Sequence, residues 1–205
     1  GKYDKLWPEH TVAVIGNLET ARAYDVDGDG IVEIVPNNLG KPFRFYQLDL
    51  DKNGKGKGSF TEHQLYPTQG HGLGFGDINN DGRKDFVLAD GWLEAPLQPL
   101  TQPWKWHPDF QLEQASISII VIDLNKDGRN DLIVGNGHGY GLNWYEQEAA
   151  GKWKKHFIDP HNSQYHTLEW MDITGDGKPE LLTGKRYRAH NDNHPGSLDD
   201  YGLYY

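Results

Sequence analysis

The chain writes nearly the same nine residues four times: DVDGDGIVE at 25–33, DINNDGRKD at 77–85, DLNKDGRND at 123–131 and DITGDGKPE at 172–180. Their first aspartates stand 52, 46 and 49 residues apart. A period near 50 marks a repeat architecture. The pattern D-x-[DNT]-x-D-G-x-x-[DE] also gathers oxygen donors for a hard cation. The side chains at loop positions 1, 3, 5 and 9 are Asp25, Asp27, Asp29 and Glu33; Asp77, Asn79, Asp81 and Asp85; Asp123, Asn125, Asp127 and Asp131; and Asp172, Thr174, Asp176 and Glu180. With the carbonyl of position 7 and water they make about the six oxygens that Ca²⁺ takes. Gly at position 6 allows the sharp turn. The expectation is up to four structural Ca²⁺ ions, one per loop. A hydrogen-bonded Asx turn without metal is the alternative. It applies most to the fourth loop, which carries Thr174 and Pro179.

Aligned on these loops, the flanking residues read as strands. Ala21, Leu73, Ile119 and Leu168 stand four before the first aspartate, and Ala23, Phe75, Val121 and Trp170 two before. An apolar face of period two is a strand. A second apolar run follows each loop, as at 34–35, 86–88, 132–134 and 181–182. A third, aromatic strand is clearest at 43–46, 141–145 and 202–205. A fourth strand ends near a histidine at 60–63, 104–107 and 153–156. Four antiparallel strands per period predict an all-β fold, a β-propeller of four-stranded blades. The repeats run approximately 15–63, 64–110, 111–160 and 161–205. Residues 5–14 read as a closing strand for the last blade, which would make a closed ring of four and remove open edges. A portion of a larger propeller is the alternative. Residues 49–53 (DLDKN) fall out of phase and read as a plain hairpin turn.

The bulk properties narrow the function. There is no cysteine among 205 residues, so disulfides and thiolate metal sites are excluded. The net charge of −10 and the absence of a basic stripe argue against nucleic acid. No apolar run reaches the length of a membrane span.

These residues resemble the FG-GAP, or VCBS, repeats of integrin α-subunit propellers and many secreted bacterial proteins, with the glycine-rich lead-in HGLGFGD at 71–77 as signature. That resemblance implies calcium binding and a secreted, extracellular or periplasmic protein. A narrower likeness rests on the same lead-in, DGWLE at 90–94, GHGYGLNWYE at 137–146 and GKRYRAH at 184–190. These look like the propeller domain of aldos-2-ulose dehydratase and related bacterial proteins, which eliminate water from keto-sugars at a metal-dependent site. It implies a carbon–oxygen lyase acting on carbohydrate.

Topology points to the end opposite the loops. Six residues before each loop stand Glu19, His71, Ile117 and His166; fifteen after it stand Gly40, Trp92, His138 and Tyr187. A structural repeat has no packing reason to set Glu, His and His around one axis. In the enzyme reading, Glu19, His71 and His166 hold a second divalent metal such as Zn²⁺ or Mg²⁺ or act as acid and base. His138 or Tyr187 moves a proton, and Arg186 holds a carboxylate or enolate oxygen. In the binding reading, Trp92, Tyr140 and Tyr187 form a platform for sugar rings, with Arg188 and His190 beside them, and the chain is a non-catalytic carbohydrate- or protein-binding module. Self-association, or assembly with the rest of a larger propeller, remains open as a partner.

Overall fold

The computed structural model describes residues 9–149, 151–187 and 193–205. They contain fifteen strands and no helix, and hence no helix that could cross a membrane. Strands β1 (Thr20–Tyr24), β2 (Glu33–Asn37), β3 (Phe43–Leu50) and β4 (Gly56–Tyr66) form one antiparallel sheet. The second repeat supplies β5 (Leu73–Gly76), β6 (Asp85–Leu88), β7 (Gly91–Glu94) and β8 (Lys105–His107). The third supplies β9 (Ile117–Ile122), β10 (Asp131–Gly135), β11 (Tyr140–Ala149) and β12 (Lys152–Ser163), and the fourth β13 (Tyr165–Met171), β14 (Glu180–Lys185) and β15 (Leu203–Tyr204). Each repeat is an up-and-down meander, and the curled sheets are consistent with a β-propeller. Residues 49–53 lie in the β3–β4 hairpin, where Asp51 Oδ1 accepts the Asn53 and Lys55 amides.

Two features depart from independent four-stranded blades. Residues 9–14, expected to close the last blade, form no strand, and residues 5–8 lie outside the described residues. The sheet of the fourth repeat has three strands among the described residues, β13-β14-β15. The second and third repeats merge into one eight-stranded sheet because β5 pairs in parallel with β9, Leu73 with Ile117 and Gly74 with Ile119.

Glycine makes that pairing possible. A Cβ at Gly72 would stand 2.7 Å from the Ala115 Cβ, at Gly74 2.6 Å from the Ile119 carbonyl oxygen, and at Gly76 2.6 Å from the Val121 Cβ. The alternating glycines of the lead-in thus form one smooth edge on which β9 lies.

Three apolar cores fill the spaces between successive repeats. The first joins Val35, Phe43 and Phe45 to Leu73, Phe86 and Leu93. The second joins Val87 and Trp92 to Ile119, Leu132 and Val134. The third joins Ile133 and Leu142 to Tyr165 and Leu168. Phe86 is fully buried, with ring contacts to Phe43, Phe75 and Trp104 near 5 Å. The inner strands also meet directly: Arg22 of β1 pairs with Glu169 of β13 at 3.2 Å and donates to the Ile117 carbonyl of β9 at 3.1 Å.

Gly74→Ala forces a methyl against a backbone oxygen that cannot swing away. The expected cost is about 1–3 kcal/mol of stability, the range for overpacked cores, read by urea unfolding. A variant as stable as the parent would mean that β5 and β9 do not touch.

Candidate metal centre at the axis

The inner-strand starts and one turn bring four chemistry-bearing side chains together. Glu19 immediately precedes β1, His71 lies two residues before β5, His166 is on β13, and His138 sits in the β10–β11 turn. The His71 and His166 ring centroids are 5.1 Å apart, and those of His71 and His138 4.4 Å. Glu19 Oε1 is 2.9 Å from His166 Nε2 and 3.6 Å from His71 Nε2, while His71 Nε2 is 3.0 Å from His138 Nε2. Gly137 makes room for this: a Cβ there would stand 3.3 Å from both His71 Cε1 and His166 Cδ2.

The tautomer of His71 follows from its partner. Its Nδ1 lies 2.7 Å from the Ala115 carbonyl oxygen, which can only accept, so Nδ1 carries the proton. In the neutral ring Nε2 is then a bare lone pair facing Glu19 and His138. His71 is 2% exposed, so this lone pair is held away from bulk water. Burial, and then the positive Arg186, push His166 down to about 4, leaving its imidazole neutral at neutral pH. Burial raises the Glu19 carboxyl, but the charges and hydrogen bonds of His71 and His166 outweigh it and hold Glu19 below its usual value.

One ligand atom from each of Glu19, His71, His138 and His166 lies within 4.8 Å of the others. Two atoms that share a tetrahedral ion, each about 2.0–2.1 Å from it, stand roughly 3.3 Å apart. The contacts of 2.9 and 3.6 Å from Glu19 to His166 and His71 bracket that edge. The donor set fits a borderline ion such as Zn²⁺ better than Mg²⁺, which favours oxygen and water. Without an ion, the same groups make a hydrogen-bonded chain in which His138 Nδ1 meets His194 Nδ1 at 3.0 Å.

The other expected site residues divide. Arg186 follows β14 and brings Nη1 to 3.6 Å from Glu19 Oε1. Tyr140 is exposed and donates to Asp199 at 2.8 Å. Tyr187 is 71% exposed and packs against Tyr201 at 5.1 Å. Trp92 corrects the sugar-platform expectation. It is 6% exposed, packs in the core between the second and third repeats, stacks on His107 at 4.1 Å and donates to Asp109 at 2.9 Å. Arg188 and His190 lie outside the described residues. His194 escaped the sequence reading because it stands in an irregular turn with no counterpart in the other repeats.

The acidic loops share one internal geometry. In each, an oxygen of the position-9 carboxylate accepts the amide of position 2: Glu33 from Val26, Asp85 from Ile78, Asp131 from Leu124 and Glu180 from Ile173. Asp85 and Asp131 engage their second oxygen with the Ala95 and Gln147 amides. These two therefore act as clasps between loop and strand. Arg83 and Arg129 pair with Asp81 and Asp127 in the second and third loops. Ligand atoms that could share a cation converge in the first loop (Asp25, Asp27, Asp29) and in the fourth (Asp172, Asp176, Glu180).

No curated protein matches the chain. Residues 123–183 match the family model of the FG-GAP-like repeat, a stretch that opens on the third loop and runs past the fourth. With the same loop repeated upstream at 25–33 and 77–85, this match supports an FG-GAP repeat family for the chain.

Proposed function

We propose that the chain is a calcium-stabilised, secreted β-propeller module whose axial cluster binds one divalent transition metal and acts on carbohydrate, eliminating water from a keto-sugar. The convergence of three imidazoles and one carboxylate within 4.8 Å, at an end where the repeats otherwise differ, carries the reading. The calcium part rests on the acidic loops, and secretion on the high calcium that such loops meet outside cells.

Glu19, His71 and His166 form a two-histidine, one-carboxylate set, the composition that leaves a fourth position open for chemistry. A bound divalent ion supplies Lewis-acid polarisation of the substrate carbonyl. The Ala115 carbonyl holds the His71 ring in its ligating tautomer. His138 is the acid–base. Its Nε2 takes the proton from the carbon beside the carbonyl, that electron pair forms the new C=C bond, and the C–O bond on the next carbon breaks. The imidazolium returns the proton to the departing hydroxyl, which leaves as water. His194 at Nδ1 steadies the ring through both states.

A second reading is a non-catalytic carbohydrate-binding module. Exposed Tyr140, Tyr187 and Tyr201 favour it, since tyrosine faces suit sugar rings.

Zinc-loaded protein should retain one equivalent per chain after dialysis, by elemental analysis, and His71→Ala should retain at least about tenfold less. His138→Gln should keep its zinc and lower kcat for keto-sugar dehydration about 10²–10⁴-fold. If the loaded parent binds keto-sugars with no turnover, the lyase reading falls and the binding module stands. For the loops, EGTA should lower Tm and added calcium restore it; an unchanged Tm would remove their structural role.

A further inference from the structure

We propose that Arg186 binds a carboxylate carried by the ligand of the axial centre, so that this ligand is a sugar acid or similar hydroxycarboxylate and not a neutral sugar. The inference rests on the axial cluster being a ligand site, as proposed above, and not on which ion it holds.

The guanidinium gives the reason. Arg186 Nε and Nη2 are both buried and have no hydrogen-bond partner among the described residues. Their N–H bonds lie along one edge of the planar group, parallel and spaced to meet the two oxygens of a carboxylate. The remaining nitrogen, Nη1, faces Glu19 at 3.6 Å. A buried donor edge without an acceptor is costly and has no structural return. Arg22 is the instructive contrast. Its Nε is also unpartnered, yet Nη1 and Nη2 are engaged by Glu169 and the Ile117 carbonyl, and it ties strands together. Arg186 is held only through Nη1, at 3.6 Å from Glu19, and its Nε–Nη2 edge ties no strands together among the described residues. Its own amide is fixed to the Gln164 carbonyl at 3.2 Å, so the side chain starts from an anchored strand end beside Glu19 and His166.

Charge favours a carboxylate over a phosphate. Glu19 lies within 3.6 Å of the same guanidinium and repels a dianion more than a monoanion. One planar fork satisfies two oxygens, whereas a phosphate calls for further donors. A hydroxycarboxylate would place its carboxylate on Arg186 and a hydroxyl or carbonyl oxygen toward the imidazoles.

Calorimetry on zinc-loaded protein tests this with matched probes: D-galacturonate against D-galactose, D-gluconate against D-glucitol, and glycolate against ethylene glycol, with inorganic phosphate as a fourth anion. The acid of at least one pair should bind about tenfold or more tighter than its neutral partner, the scale of a charged hydrogen-bonded fork. Arg186→Gln should abolish the preference without changing zinc content, and Arg186→Lys should keep part of it. No acid preference in any pair, or a preference that survives in Arg186→Gln, overturns the assignment and leaves the metal reading intact. Phosphate binding more tightly than every acid overturns the carboxylate. If the parent takes up no zinc, the metal reading fails, and the same comparison on metal-free protein decides the arginine. Should Arg186→Gln not fold, the Arg186 Nε–H resonance of the parent serves instead: it must shift with the preferred acid and stay in place with its neutral partner.

Discussion

The close contact of β5 with β9 is the constraint on which the axial centre depends. Parallel pairing at this distance needs a strand edge without side chains, and Gly72, Gly74 and Gly76 provide it. The consequence reaches the site within two residues. His71 precedes β5, and Ala115 precedes β9, so the strand contact sets the His71 Nδ1 bond to the Ala115 carbonyl. Gly137 in the β10–β11 turn then leaves room for both the His71 and the His166 ring. A packing feature of the backbone thereby fixes which nitrogen of His71 faces the axis.

The register of the strands was readable because it is local and repeated. Once the loops are aligned, alternation over four to six residues places β1, β5, β9 and β13 to within about two residues of where they lie. The same alignment puts Glu19, His71 and His166 in one phase, and they meet although Glu19 and His166 are separated by 147 residues. Trp92 has the phase of His138 and a different fate. A short β6–β7 turn draws it into the sheet, where it finds His107 and Asp109, while the glycine-rich β10–β11 turn holds His138 at the axis. Phase predicts the end of the blade; turn length and local partners decide which way the side chain goes. His194 had no phase at all. The parallel β5–β9 pairing was equally hidden, since a glycine column says that something comes close without saying what.

The two ends of the molecule solve opposite electrostatic problems. In the loops, burial pushes Glu33 and Asp85 up to about 7, backbone amides oppose this, and neighbouring aspartates add to it. A carboxyl raised on folding stabilises the fold below its ordinary range, and that contribution is lost as pH rises through about 7. Cation-free loops therefore weaken the fold as these groups ionise, and a bound cation would offset the strain. At the axis Glu19 is lowered, so it is a ready carboxylate beside His166, whose imidazole burial keeps neutral. Neutral imidazole and ionised carboxylate are the protonation states in which both residues donate electron pairs to an ion.

The division also explains why the repeated motif and the candidate centre lie apart. In all four loops the position-9 acid commits one oxygen to its own position-2 amide and so helps to hold the turn. The shared bond gives the four turns one frame, so the loop end differs among repeats less than the opposite end does. The axial end is joined by turns of unequal length and composition, and it can collect Glu19, His71, His138, His166 and Arg186 from four repeats. Repetition at one end supplies the rigidity that lets unlike residues converge at the other.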